Sequence, residues 1–510
     1  MRPDRRIVLY YPCLSDTRRR PPARKDVLPL SVLAIAGGPI EDGYEVVLVD
    51  GNLSEDPGQA HRRVLDACEG AFVFGATGIL GNQVADAEAV ALKVRERHPR
   101  LARVVGGWFA SVLPEPYLAD GLFDAVCLGQ GEVTFREYVA AVDAGEPLDS
   151  VAGLALWRDG GVTETEHRSP VGWTAIPRTP WELIDFEPYR EGQLRQHGSR
   201  TVERLPRPQA LRKDGPHIGI AYYASFGCPE PCAFCCSPEV TDRRWKAMGA
   251  ERMLDELEEL WHRWGFDVVR FHDANWGVSE KRVREFCEGK IERGVGFHYF
   301  PMLQAPSFLR YSERTRDAMA ESGCYVVNIG AETGDDEMMG VIGKSTKGDQ
   351  NFEAALEMDR RGIETWMTYI IGYPDESRES MLATIDQARR IRAACQHSHP
   401  AVWHYQPIPG TPFYRRAVEL GFQPPANLRD WGLFGDYHLD VTWPNRIPAD
   451  VLLRRRLYQH FSTLSHGIAR GKVGWWERRA RKRLASGSWR LARVEAKVFD
   501  LYQRAVGAAG

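Results

Sequence analysis

Three cysteines in the stretch Cys228-Pro-Glu-Pro-Cys232-Ala-Phe-Cys235 constrain this chain more than any other feature. They stand at x3 then x2 spacing, directly after the strand-like run Ile218-Gly-Ile-Ala-Tyr-Tyr-Ala224. Iron–sulfur clusters are held by cysteine thiolates, and gaps this short let one loop wrap three irons of a cubane. The usual cluster binder supplies four thiolates, so three leave one iron open to chelate a further molecule. Two other readings compete. A zinc knuckle wants a fourth Cys or His in a closed tetrahedral site. Cys236 directly follows Cys235, so its side chain is expected to point away from the ion that Cys235 binds. The third reading is structural cysteines that fall into this register by accident.

At 510 residues the chain exceeds one ordinary core, and length alone predicts about three domains. Apolar content of 43% and charged content of 26% are those of a soluble globular protein. A net charge of −3 gives no reason to expect nucleic acid as a general partner. The apolar run Ile7–Tyr11 is too short for a signal peptide, and no run reaches the roughly 18 apolar residues of a membrane span. Cys13, Cys68, Cys127, Cys287, Cys324 and Cys395 stand alone, which is the usage of reduced cytosolic chains. These features predict a cytoplasmic protein without a transmembrane segment.

Four regions are expected. Residues 1–143 alternate short apolar runs (Ile7–Tyr11, Glu45–Asp50, Ala71–Gly75, Arg103–Gly106) with amphipathic stretches such as Gln83–His98. This pattern predicts a doubly wound, Rossmann-like α/β sheet that binds its ligand beyond the carboxyl ends of the strands. Ala76–Gly81, Gly106-Gly107-Trp108 and Gly129-Gln-Gly131-Glu132 fall where such a ligand sits, and glycines there permit close backbone approach. Residues 144–215 read as a linker with a β-hairpin around Asp159-Gly160. Residues 216–421 alternate again, with apolar runs before Cys228 and at Asp267–Asp273, Phe297–Met302, Tyr325–Gly330, Thr365–Gly372 and Ala401–Tyr405. Residues 422–510 are rich in helix formers and basic side chains, and predict a mainly helical region. Its segment Trp475–Leu484 reads either as a contact for an anionic or membrane-associated substrate or as a solvated basic face.

The Cys-x3-Cys-x2-Cys spacing, with Phe234 just before the third cysteine, resembles the signature of the radical S-adenosylmethionine (SAM) enzymes. The resemblance implies a 4Fe-4S cluster on Cys228, Cys232 and Cys235, the catalytic set. Its open iron would bind the amino and carboxylate groups of SAM, whose reductive cleavage gives a 5′-deoxyadenosyl radical. It also implies an external one-electron reductant such as flavodoxin or ferredoxin. The six strand–helix units of 216–421 resemble the partial (β/α)6 barrel of this family. Around its carboxyl ends the resemblance points to Phe234, Asp273, Glu332, Gly372, Pro409 and Gly410 as SAM contacts. Glu332 lies in a Gly-x-Glu segment, Gly372 begins Gly-x-Pro-x-Glu, and Lys344 matches a position often basic in the subgroup. Each short motif has an alternative reading as a turn or helix-capping device.

The ordered segments Pro29–Ala36, Tyr44–Asp50, Val105–Trp108 and Phe123–Glu132 resemble the cobalamin (B12)-binding domain fused to many radical SAM proteins. Pro407-Ile-Pro-Gly-Thr411 is similar to a signature of the cobalamin-linked and magnesium-protoporphyrin cyclase-like branch. The resemblance implies that Gly106, Gly107, Gly129, Gly131 and Glu132 contact cobalamin. The chain departs from one pattern: after the first strand it has Pro12-Cys-Leu-Ser-Asp16 and no Asp-x-His-x-x-Gly. By resemblance, the lower cobalt face then has no histidine ligand from the protein. The alternative is a degenerate domain that serves as scaffold. Three functions are therefore expected of the chain: methylation of an unactivated carbon of a small molecule, radical cyclisation or rearrangement in the same architecture, or non-catalytic carriage of cobalamin or metal.

Overall fold

The computed structural model describes residues 5–15, 25–196, 211, 216–434, 447–466 and 474–507, with side chains to 501. They form two compact units: the described residues within Met1–Leu205, Lys213–Ala274 and Pro407–Val441, and those within Pro206–Arg212, Asn275–Gln406 and Thr442–Gly510. This division crosses the four regions read from the sequence. Among the described residues no helix is long and apolar enough to cross a membrane.

The first unit is built on a seven-stranded sheet. Strands β1 (Arg6–Tyr11), β2 (Glu45–Asp50), β3 (Ala71–Thr77), β4 (Ala102–Gly106) and β5 (Ala125–Cys127) run parallel in the order β2-β1-β3-β4-β5. Five of the six β1 residues are buried, because helices cover the sheet on both faces and leave neither side for water. Ile7 and Leu9 meet Val32, Ala36, Phe135 and Tyr138 in one apolar cluster. The helix expected over Gln83–His98 spans Asn82–Arg97 and buries Val84, Ala87, Val90, Ala91 and Val94.

The hairpin around Asp159-Gly160 is present as β6 (Leu154–Arg158) and β7 (Gly161–Glu164). It is more than a connection, since β6 pairs antiparallel with β5 and extends the sheet. After it come β8 (Gly219–Tyr222), β9 (Ser225–Phe226), β10 (Lys246–Ala247) and β11 (Val268–Phe271), with β8 and β11 parallel. The helix Ala250–Trp264 between them ends on Gly265 in the left-handed conformation. The segment Leu428–Trp431 also belongs to this unit, where Trp431 packs its ring 5.2 Å from that of Phe109.

The second unit carries β12 (His298–Phe300), β13 (Met302–Leu303), β14 (Val326–Glu332), β15 (Glu364–Ile371) and β16 (Ser398–His404), of which β13 to β16 form a parallel sheet in sequence order. The single strand expected over Phe297–Met302 is split at Pro301, which has no N–H to give to a ladder. Helices Ala449–Ser465, Gly474–Ser486 and Ala492–Gly507 complete the helical tail that the composition predicts.

Candidate functional site

The cysteine loop leaves β9 and returns at β10, and antiparallel pairing of Phe226 with Lys246 and Ser225 with Ala247 closes its base. Inside it, Cys235 N donates to Cys232 O at 3.0 Å, so the two cysteines share one turn. The Ser237 N–H points at the Cys235 sulfur at 3.4 Å. Cys232 is buried, and Cys228 and Cys235 are half-buried, as is Phe234. Among the described residues no three His, Cys, Asp or Glu side chains converge on a single ion. Thiolates that each take a separate iron of a cubane have no need to converge so. Cys236 opens the short helix Ser237–Thr241.

Asp273 follows β11 by two residues and is almost wholly buried, at 1% exposure. Its carboxylate accepts from the Ala224 N–H at 3.2 Å and from the Ser225 hydroxyl. It therefore anchors the chain that enters the cysteine loop. Pro409 is buried, and Gly410, at φ +81°, lies so near Val112 that a Cβ would sit 3.0 Å from the valine Cβ. Thr411 caps the helix Pro412–Glu419 by accepting from Tyr414 N at 3.1 Å, and Phe413 N donates to Ala233 O in the cysteine loop at 3.0 Å. The Pro-x-Pro-Gly-Thr segment is thus a capping turn wedged between the cysteine loop and the short helix Trp108–Val112.

Beside this loop the first unit encloses a cavity of about 390 Å³. One wall is the carboxyl edge of the parallel sheet, where Thr77, Gly106, Gly107, Gly129, Gly131 and Glu132 all line it. The order β2-β1-β3 reverses there, the switch point at which such sheets bind ligands. The opposite wall includes Tyr223, Phe226, Gly227 and His272, the last at the end of β11. The walls are joined by Trp108 stacked on Phe226, with ring centroids 5.8 Å apart. A second tie is the Tyr223 hydroxyl, which donates to Glu132 at 3.0 Å. Burial pushes the Glu132 carboxyl above its usual range, offset in part by its own N–H and by Tyr223. Gly107, at φ +101°, could not carry a Cβ without meeting the Gly78 carbonyl at 2.6 Å. The Thr77 hydroxyl is buried at the cavity wall with no hydrogen-bond partner among the described residues.

In the second unit Glu332 ends β14 at φ +59°, at a register shift in the ladder to β15. Its carboxylate takes the Lys344 ammonium at 2.6 Å with both side chains under 10% exposed, and Lys344 also donates to Gly330 O at 2.6 Å. The pair occupies the space a side chain on Gly330 would need. Glu332 does not cap the next helix; Asp335 does, accepting from Glu337 N. Lys344, which a sequence alone reads equally well as a surface lysine, is buried by this pairing. After β15, Gly372 N and Tyr373 N donate to Glu376 at 2.6 and 3.0 Å, and the Ser380 hydroxyl donates at 3.1 Å. Burial nevertheless pushes the Glu376 carboxyl up to about 7. Gly372-x-Pro-x-Glu376 is thus a loop closed on its own carboxylate.

Thr77 lies in the Ala76–Gly81 loop that the sequence points to, whereas Tyr223 and His272 escape motif reading because each lies in an unremarkable context. Their position at the carboxyl end of a strand is the signal that would have found them.

Comparison with known proteins agrees with this architecture. Residues 222–388 match the Radical SAM superfamily. An uncharacterized methyltransferase of Pyrococcus horikoshii is 27% identical over 335 residues, 65% of this chain and 66% of that protein. The anaerobic magnesium-protoporphyrin IX monomethyl ester cyclase of Synechocystis is 22% identical over 368 residues, 71% of this chain and 68% of the cyclase. Among solved structures, the radical S-adenosylmethionine methyltransferase TsrM of Kitasatospora setae, with cobalamin and a 4Fe-4S cluster bound, aligns at TM-score 0.67 with 15% identity, covering 95% of this chain and all of that one. The chain shares the fold of that structure: a Rossmann-like domain, a partial (β/α)6 barrel and a helical C-terminal region.

Proposed function

We propose that the protein is a cobalamin-dependent radical SAM enzyme that methylates an unactivated carbon of a small-molecule substrate. The observation that carries this reading is the cavity shared by the carboxyl edge of the Rossmann-like sheet and the base of the three-cysteine loop. Bound there, a 4Fe-4S cluster, SAM and cobalamin would supply a carbon-centred radical and a methyl group for it, chemistry that belongs to the cofactors. The residues supply place and shielding. Cys228, Cys232 and Cys235 would hold the cluster. Gly106, Gly107, Gly129 and Gly131 keep the sheet edge open to a flat macrocycle. The Thr77 hydroxyl offers that ligand a hydrogen bond it lacks within the protein. Tyr223 holds Glu132 at the wall, where its carboxyl, raised in pKa by burial, faces the space a corrin would fill. A one-electron reductant such as flavodoxin or ferredoxin would serve it in the cytoplasm.

The likeness to the magnesium-protoporphyrin cyclase supports a second reading, radical cyclisation without methyl transfer. Anaerobic incubation of cobalamin-supplied protein with reductant and candidate substrates separates the two. S-adenosylhomocysteine formed together with 5′-deoxyadenosine is expected for methylation; 5′-deoxyadenosine alone would turn the reading to cyclisation. Neither product under strong reductant would leave a non-catalytic carrier. The bound cobalt is expected base-off, without nitrogen splitting in its paramagnetic spectrum. Splitting that vanishes in His272→Ala would instead assign a ligand from β11.

A further inference from the structure

The last helix, Ala492–Gly507, has two apolar faces. One is accounted for within the fold. Ala492 and Phe499 are buried, the Phe499 ring lies 5.3 Å from Trp476 and 5.5 Å from His460, and Glu495 pairs with Arg479 and Arg483. At about 100° per residue, Val494, Val498 and Leu501 fall within roughly 60° of arc on the side away from Ala492 and Phe499. They are 56%, 47% and 65% exposed, and Leu491, just ahead of the helix, is 65% exposed. Scattered surface leucines need no explanation, but a continuous apolar row beside a packed face does.

Charge identifies what covers it. Arg493 and Lys497, both exposed, run along one flank of the row, and Arg490 is exposed at its start. The preceding helix adds exposed Arg478, Arg481 and Lys482, and Trp475 is 59% exposed near its start. Between 474 and 501 the chain has eight basic and three acidic residues although its total is −3. The positive charge is therefore local. An apolar row with Trp nearby and Lys/Arg on its flank matches the chemistry of a bilayer interface, acyl chains below and phosphates above. A two-fold contact between two copies would instead set one basic flank against the other.

We propose that this C-terminal surface docks peripherally on an anionic lipid bilayer, with Leu491, Val494, Val498 and Leu501 among the acyl chains and Arg490, Arg493 and Lys497 on the lipid phosphates. The proposal does not depend on the catalytic reading. Flotation of the full chain with vesicles of phosphatidylcholine, with and without phosphatidylglycerol, tests it. The chain is expected to float with the anionic vesicles and to be released by salt. Val494→Asp with Val498→Asp, and separately Arg490→Glu with Arg493→Glu and Lys497→Glu, should each lower partitioning at least about tenfold, with far-ultraviolet circular dichroism unchanged. A wild-type chain that stays unbound overturns the proposal, as do variants that bind like wild type. So does a concentration-dependent dimer in sedimentation that Val498→Asp abolishes, which would make a second copy the occupant.

Discussion

In the first unit the residues around the cysteines leave space between them: Asp273, Thr411 and the β9–β10 pairing hold the walls, and the cavity beside them stays open. In the second unit the motif residues satisfy one another. Glu332 is spent on Lys344, and Glu376 on the N–H groups of its own loop. The difference is physical. A buried carboxylate without a partner is costly, so each is held by an internal ion pair or by backbone N–H groups. The cysteines require no such stand-in, because neutral thiols tolerate burial.

The largest expected effect lies on the open side of this contrast. Cys232→Ala should abolish assembly of the cluster in anaerobic reconstitution, read as loss of bound iron and of its visible absorbance. Cys236→Ala should retain both, since neighbouring residues cannot easily reach the same iron. Retention in the first variant with loss in the second would overturn the ligand assignment.

Next comes the closed side. Lys344→Ala leaves the Glu332 carboxylate buried and unpaired, and should destabilise the protein by about 3–5 kcal/mol in denaturant unfolding. Adding Glu332→Gln should restore much of it. Glu332→Ala alone should weaken SAM binding about ten- to a hundredfold by anaerobic calorimetry, the scale of one charge-assisted hydrogen bond, with cluster absorbance intact. Unchanged affinity in a less stable variant would make the pair structural only.

The smallest effect is a pH dependence. The folded-state pKa of Glu376, about 7, lies above its ordinary value of 4.5. The folded protein therefore binds this proton more tightly than the unfolded chain does. Its contribution is fully present below about 4.5 and is lost as pH rises through about 7, by at most about 3 kcal/mol. Glu376→Gln should flatten the fall in stability across that window. A wild-type profile that rises there instead would show that the Gly372 and Tyr373 N–H groups hold the carboxylate ionised.

Much of the fold was legible because period is local. The alternation in residues 6–106 marks β1 to β4, and the apolar spacing from Val84 to Val94 marks a helix. The limits are just as local in cause. Pro301 splits one strand, and the Asp159-Gly160 hairpin joins a sheet that its own sequence could not name. The tail shows a basic composition in sequence, but only the packing of its final helix through Phe499 tells which apolar face remains outside.

By itself the sequence determined that three cysteines share one short loop, since x3 and x2 spacing keeps them close whatever surrounds them. It also determined the order of strands and helices, which depends on side-chain period within a few residues. Tertiary structure decided which residues meet. Tyr223 reaches Glu132 across 91 positions, Gly410 lies against Val112, and Lys344 turns inward to a Glu332 placed by a register shift in its strand. These meetings follow from strand order and crossover, which bring distant carboxyl ends to one edge, and no local period encodes them.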